Sequence, residues 1–261
     1  MIFKQLLEPD SCTYTYLLGC EVTGKTVLID PVVETVHRDL DVIRELGLSP
    51  TYTLETHIHA DHITGGVKMR ALADTQIVVP KMENLPCADL GVEEGTVFEV
   101  GSIKIHPLFT PGHTGSHHAY LIENGMHTIL FSGDALLIEA CGRTDFQEGN
   151  PAQLYQSIHE KFFSLPDETL IYPGHDYEGR QISTVLQEKR RNPRLMDNKS
   201  EADFIEIMNG LDLPYPRKID FSVPANRLCG KCPDNVPEQY RGPCEIYDRD
   251  TRRYLKQGDQ G

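Results

Sequence analysis

The chain has 261 residues, 39% of them hydrophobic and 25% charged, which is the balance of a folded protein able to bury a sizeable core. Its net charge of −14 argues against nucleic acid or an anionic membrane surface as partner. No apolar run approaches the roughly eighteen residues of a spanning helix.

Residues 2–7, 11–18 and 25–30 read as short strands, with Gly19 and Gly24 between them and Pro31 ending the third. Val36, Leu40, Ile43 and Leu46 recur at helical spacing across residues 34–46, and Gly47 closes that helix. Residues 52–54 form a strand that leads into a histidine-rich loop. A helix over 63–72 and a strand over 76–79 follow, then a hairpin across 96–109 that turns at Gly101-Ser102. Strands are predicted at 119–122, 128–131 and 170–172. Asn150-Pro151 starts a helix running to about residue 163. Two more helices are predicted at about 180–191 and 201–208, the second capped by Ser200. We expect one domain over 1–261 with a C-terminal extension from about residue 200.

The organising stretch is Tyr52–Gly66, YTLETHIHADHITGG. Within six residues it presents His57, His59, Asp61 and His62. Packing these polar groups so tightly is costly unless each gives a lone pair to a cation. Three more ligand-type residues follow strand ends and glycine turns: His113 in TPGHTGS, Asp134 in FSGDAL and His175 in YPGHDY. Four such strand ends suit a metal site at the edge of a two-sheet architecture. His37, His106, His117, His118, His127 and His159 lack that context and read as surface or packing residues.

Seven cysteines, an odd and scattered set, do not resemble a disulfide framework and fit a reducing compartment. Cys229, Cys232 and Cys244 lack the fourth ligand of a structural zinc site. Residues 1–7 have no signal-peptide pattern, so the expected location is cytoplasmic, or the mitochondrial matrix if a transit peptide has been removed.

The ligand pattern resembles the metallo-β-lactamase superfamily over roughly residues 10–180. That resemblance implies an α+β fold, an αββα sandwich of two mixed β-sheets flanked by helices. In its di-zinc hydrolases, the matching ligands would be His57, His59 and His113 for one ion and Asp61, His62 and His175 for the other, with Asp134 bridging. All seven are present, so ligand count leaves a di-metal hydrolase open.

HADHITG, CGRTDFQ at 141–147, IYPGHDY at 171–177, NPRL at 192–195 and KIDFSVPAN at 218–226 are similar to the persulfide dioxygenases. This resemblance runs nearly the length of the chain. It implies one Fe(II) per chain, held by His57, His113 and Asp134, with coordination positions left open for substrate and O2. His59, Asp61, His62 and His175 would then surround the ion without ligating it. The implied reaction converts glutathione persulfide and O2 to glutathione and sulfite.

Glutathione carries two carboxylates, which arginine forks match well. Arg143, Tyr177, Arg194 and Cys229 are the expected substrate contacts, with Lys189, Arg190 and Arg191 forming a basic cluster beside Arg194. A homodimer is compatible with the sequence. Two other readings stand beside the dioxygenase: a di-zinc thioesterase of the glyoxalase II type, and a non-catalytic metal or sulfide sensor.

Overall fold

The computed structural model describes residues 1–125 and 127–256. By internal contacts the chain divides into two compact units, one of residues 1–11, 15–91 and 216–261, the other of residues 12–14 and 92–215.

The first sheet has strands β1 (Ile2–Glu8), β2 (Thr13–Gly19), β3 (Lys25–Ile29), β4 (Ser49–Leu54), β5 (Gln76–Pro80) and β6 (Leu90–Val92), in that order. β2 and β3 run antiparallel, whereas β3–β4 and β4–β5 are parallel and need crossovers. Helices α1 (Val36–Glu45) and α2 (Gly66–Ala73) supply them. Val36 and Ile43 of α1 join Leu17, Leu28 and Met69 in one buried cluster, which is the face the helical spacing marks out. The parallel register sets Ile29 opposite Leu54. The chain segments that leave β3 and β4 therefore emerge side by side.

The second sheet has β7 (Phe98–Val100), β8 (Ile103–Phe109), β9 (His118–Asn124), β10 (His127–Gly133), β11 (Leu170–Pro173) and β12 (Ser183–Thr184), ordered β12-β11-β10-β9-β8-β7. Only β10–β11 is parallel, so this sheet is also mixed. The helices are α3 (Pro151–Ser157), α4 (Val185–Arg191) and α5 (Glu201–Asn209). Leu130, Ile171, Leu154, Ile158, Phe162 and Phe204 form its core. Asn150 caps α3 by accepting from the Gln153 amide at 3.1 Å, and Ser200 and Asp203 form a reciprocal capping box on α5.

Three expectations need correction here. The helix begun at Pro151 is α-helical only to Ser157 and widens into a π-type turn over Ile158–Phe162. The helix expected from residue 180 starts at Val185, because the Arg180 amide is held by the Asp176 carboxylate at 2.8 Å and residues 183–184 pair as β12. The segment after residue 216 carries helix α6 (Ile219–Asn226) and a hairpin of β13 (Ile246–Asp248) and β14 (Arg253–Leu255), none of them anticipated.

The cysteine reading is also corrected. Cys87 pairs with Cys229 and Cys232 with Cys244, and Cys12, Cys20 and Cys141 belong to neither bridge. The first bridge spans 142 residues, a proximity created by folding and invisible in spacing.

Candidate metal centre

In the first unit, β3 ends at Asp30, whose left-handed backbone (φ +50°) turns its carboxylate towards the loop after β4. That carboxylate accepts from the Thr56 amide at 2.7 Å and from the Thr56 hydroxyl at 2.9 Å. The hydroxyl has one proton, given to Asp30, so it accepts from His57 Nδ1 at 2.9 Å. His57 is thereby held in the tautomer that leaves a lone pair on Nε2.

His59 Nε2 donates to Asp30 Oδ1 at 3.1 Å and lies 3.5 Å from Glu55 Oε2. Burial opposes charge on this ring, but Asp30 and Glu55 together outweigh it and raise its pKa well above the ordinary imidazole value. The His57, His59 and His62 rings follow one another at centroid distances of 4.1 and 4.2 Å. His62 Nδ1 is 3.0 Å from Asp61 Oδ2. His59, Asp61 and His62 each offer a ligating atom within 4.8 Å of the others.

Asn226, at the end of α6, fixes the backbone of the same loop. Its Nδ2 donates to the carbonyls of His59 and His62, each at 2.8 Å, and its Oδ1 accepts from the Thr64 amide at 2.8 Å. Sequence reasoning missed Asp30, Glu55, Thr56 and Asn226 as parts of the site. KIDFSVPAN stood out as a motif, yet nothing in it says that its last residue reaches the histidines.

In the second unit, Gly112 adopts φ +134°, and a Cβ there would run into the Leu154 backbone. This turn sets up His113, whose Nδ1 donates to the Arg143 carbonyl at 2.7 Å. Asp134 follows β10, and its amide donates to His117 Nε2 at 3.2 Å. His117 must then carry its proton on Nδ1, which donates to the Thr110 hydroxyl at 2.8 Å. His117 was expected to be a surface or packing residue; it is fully buried and positions Asp134. Asp134 Oδ2 lies 3.6 Å from His113 Nε2 and 3.4 Å from His175 Nε2. Two imidazoles thus converge on one carboxylate.

The chemistry of these groups fits a metal. Asp134 Oδ1 and His59 Nδ1 are buried and have no hydrogen-bond partner among the described residues. Leaving a buried polar atom unsatisfied costs about 1–3 kcal/mol, and more for a charged one, which a cation would relieve. Imidazole nitrogen and carboxylate oxygen suit a first-row divalent ion.

The expected substrate residues are differently placed. Arg143 forks onto Asp145 at 2.6 and 2.7 Å, donates to the Pro214 carbonyl at 2.9 Å and lies over the Phe146 ring. Tyr177 is 73% exposed, and its ring stacks on His175. Beside them a cavity of about 370 Å³ is lined by Ile138, Glu139, His175, Tyr177, Arg180 and Arg191. Arg194 donates to the Cys141 carbonyl at 3.2 Å, and Lys189 is committed to Asp167 at 2.8 Å, so the basic cluster is partly spent on the protein itself. Cys229 is corrected as a substrate contact: it is 2% exposed and its sulfur is bonded to Cys87.

The sequence model of the metallo-beta-lactamase superfamily matches residues 13–175. Human persulfide dioxygenase ETHE1, mitochondrial, is 47% identical over 231 residues, 88% of this chain and 89% of that one. The chain belongs to the persulfide dioxygenase family of the metallo-beta-lactamase superfamily. The crystal structure of ETHE1 from Myxococcus xanthus matches with a TM-score of 0.84 at 48% identity, covering 88% of this chain and 100% of that one. The α+β fold of two mixed sheets flanked by helices is therefore that of the persulfide dioxygenases. A hydroxyacylglutathione hydrolase of Rhodospirillum rubrum is more distant, 34% identical over 207 residues and 78% of each chain. No helix among the described residues is long and apolar enough to cross a membrane.

Proposed function

We propose that this chain is a persulfide dioxygenase that converts glutathione persulfide, O2 and water to glutathione and sulfite, with one Fe(II) held by His57, His113 and Asp134. The observation that carries this reading is identity to a persulfide dioxygenase at 47% across nearly nine-tenths of both chains. The tautomers of His57 and His113 support it, since each has its Nδ1 proton committed and its Nε2 lone pair available. Asp134 adds the anionic ligand that partly neutralises a divalent ion. Two neutral imidazoles and one carboxylate would hold such an ion and leave positions open for reactants. Bound there, ferrous iron supplies the one-electron chemistry that lets O2 react with a sulfur anion.

The residues around the proposed ion have separate tasks. Asp30 and Thr56 hold His57 in its tautomer, the Arg143 carbonyl does so for His113, and His117 holds the backbone of Asp134. His59 is oriented by the carboxylates of Asp30 and Glu55, which face its Nε2. Asp61, His62 and His175 keep the surroundings polar. The cavity beside Tyr177 carries Arg191, a cation suited to a glutathione carboxylate, whereas Arg180 there is committed to Asp176 and Glu139. Arg143 and Arg194 complete the proposed substrate contacts.

A second reading, a di-zinc thioesterase, draws on the buried His59 Nδ1, whose lone pair in the neutral ring would serve as a ligand while Nε2 donates to Asp30. Metal analysis with paired assays tests the two. About one iron per chain with O2 uptake on glutathione persulfide supports the dioxygenase; two zinc ions with thioester hydrolysis overturn it.

A further inference from the structure

We propose that Asn226 is the positioning residue of the metal-ligand loop and that the Cys87–Cys229 disulfide fastens it in place. This rests on the reading that His57 is a metal ligand. Asp30 and Thr56 control the side chain of His57. The loop backbone has its own supports: Pro31 and Val33 hold Gly65 and Ile63 at its end, and the stretch from His59 to Thr64 is tied from further off. Asn226 makes that tie from 167 residues away from His59. Its carboxamide spends both N–H donors on the His59 and His62 carbonyls and accepts from the Thr64 amide. The side chain is 2% exposed, so each bond is made where water does not compete.

The chain beyond Asn226 is fixed to the same loop. Cys229 takes φ +55° and its carbonyl accepts from the Val67 amide at 2.9 Å, at the start of α2. A Cβ on Gly230 would collide with the Thr64 carbonyl, so the backbones approach closely. Cys229 packs with Ile77 and Val79 of β5, and its sulfur is bonded to Cys87 in the segment between β5 and β6. Asn226 thus sits on a short arm tied to the first sheet by a covalent bond three residues further on. If the arm lifts, the His59 and His62 carbonyls and the Thr64 amide lose their partners together, and the imidazole of His57 loses the frame that aims it.

The test is the rate at which ferrous-loaded protein gives up iron to an excess of a coloured chelator, followed beside far-UV circular dichroism and melting. We expect Asn226→Ala to keep its fold and release iron on the order of ten- to a hundredfold faster, the range for groups that orient metal ligands. Cys87→Ser leaves every hydrogen bond of Asn226 available, so we expect a several-fold acceleration in the same direction, with faster hydrogen exchange at the Thr64 amide. Ile103→Ala, a core substitution in β8, controls for general destabilisation and should release iron at the wild-type rate. Release at the wild-type rate from Asn226→Ala overturns the inference. If Asn226→Ala does not fold, Cys87→Ser decides alone, and unchanged release and Thr64 exchange overturn it. Wild-type protein that binds no iron or other divalent metal overturns the metal reading itself.

Discussion

His113 donates from Nδ1 to the backbone carbonyl of Arg143 at 2.7 Å. A carbonyl only accepts, so this bond fixes a proton on Nδ1 and, in the neutral ring, puts the lone pair on Nε2, 3.6 Å from Asp134 Oδ2. Arg143 thus has two roles on separate atoms: its backbone orients a proposed ligand, and its guanidinium is forked onto Asp145.

Because the backbone carbonyl survives side-chain truncation, Arg143→Ala should retain metal while binding substrate less well. Loss of one charge-assisted contact costs about 1.5–3 kcal/mol, a rise of roughly ten- to a hundredfold in KM for glutathione persulfide. Metal content and steady-state kinetics on the same preparation check this. Unchanged KM would show that the guanidinium serves only Asp145 and Pro214.

Asp134→Ala should abolish most metal binding while the fold persists. The amide of Asp134, held by His117, is unaffected by the substitution, and the lost carboxylate has an oxygen with no protein partner to strand. Elemental analysis beside a melting curve tests the two halves of the expectation. Stoichiometric metal in the variant would remove Asp134 from the ligand set.

Gly142 and Gly174 should not tolerate alanine. A Cβ on Gly142 would press on the Asp134 carbonyl and the His113 ring, and one on Gly174 would collide with Asp134 Oδ1. Overpacking of this kind costs about 1–3 kcal/mol, and here the strain falls on two proposed ligands. We expect both variants to lose metal out of proportion to their loss of melting temperature. Wild-type metal content in Gly174→Ala would show that Asp134 can shift without consequence.

The histidine loop was legible because its residue types are improbable together, and local signals such as Asn150-Pro151 and the Ser200 cap gave helix starts correctly. What failed was whatever depends on chain brought from afar. Asp30 reaches Thr56 because parallel register sets Ile29 beside Leu54, and no feature of Asp30 itself announces that. Asn226 and the Cys87–Cys229 bridge join segments separated by more than a hundred residues. Helix 180–191 failed for a local reason of another kind: Asp176 captures the Glu178 and Arg180 amides and delays the helix until Val185. Side-chain competition for backbone of this sort does not show in apolar periodicity.

Glu8 contributes to the acid limb of stability. Burial pushes its carboxyl pKa up, but the Ser11 hydroxyl and the amides of Asp10 and Ser11 pull harder and leave it below its ordinary value of 4.5. A depressed folded pKa means stability that is present above the unfolded value and lost as pH falls through the folded one. Glu8→Gln should therefore cost about 1 kcal/mol at neutral pH and show a shallower loss below about pH 4.5. Parallel wild-type and variant curves of stability against pH would refute that role.

The sharpest prediction concerns His62, which is fully buried with Nδ1 against Asp61. By the di-zinc pattern Asp61, His62 and His175 would hold a second ion, and a di-zinc hydrolase would need it, with Asp134 shared between ions. A second ion there would compete for the space that O2 and a persulfide require. The dioxygenase reading instead gives these side chains hydrogen bonds to one another and to water. His62→Ala should then keep about one iron per chain, as wild type does, and lose turnover by roughly ten- to a hundredfold through disturbed surroundings. The hydrolase reading requires wild type to hold two metals and the variant to lose one. Elemental analysis of both proteins, with O2 uptake on glutathione persulfide and hydrolysis of lactoylglutathione measured side by side, separates the readings. Two tightly held zinc ions in wild type, with thioester hydrolysis and no O2 uptake, would falsify the dioxygenase assignment.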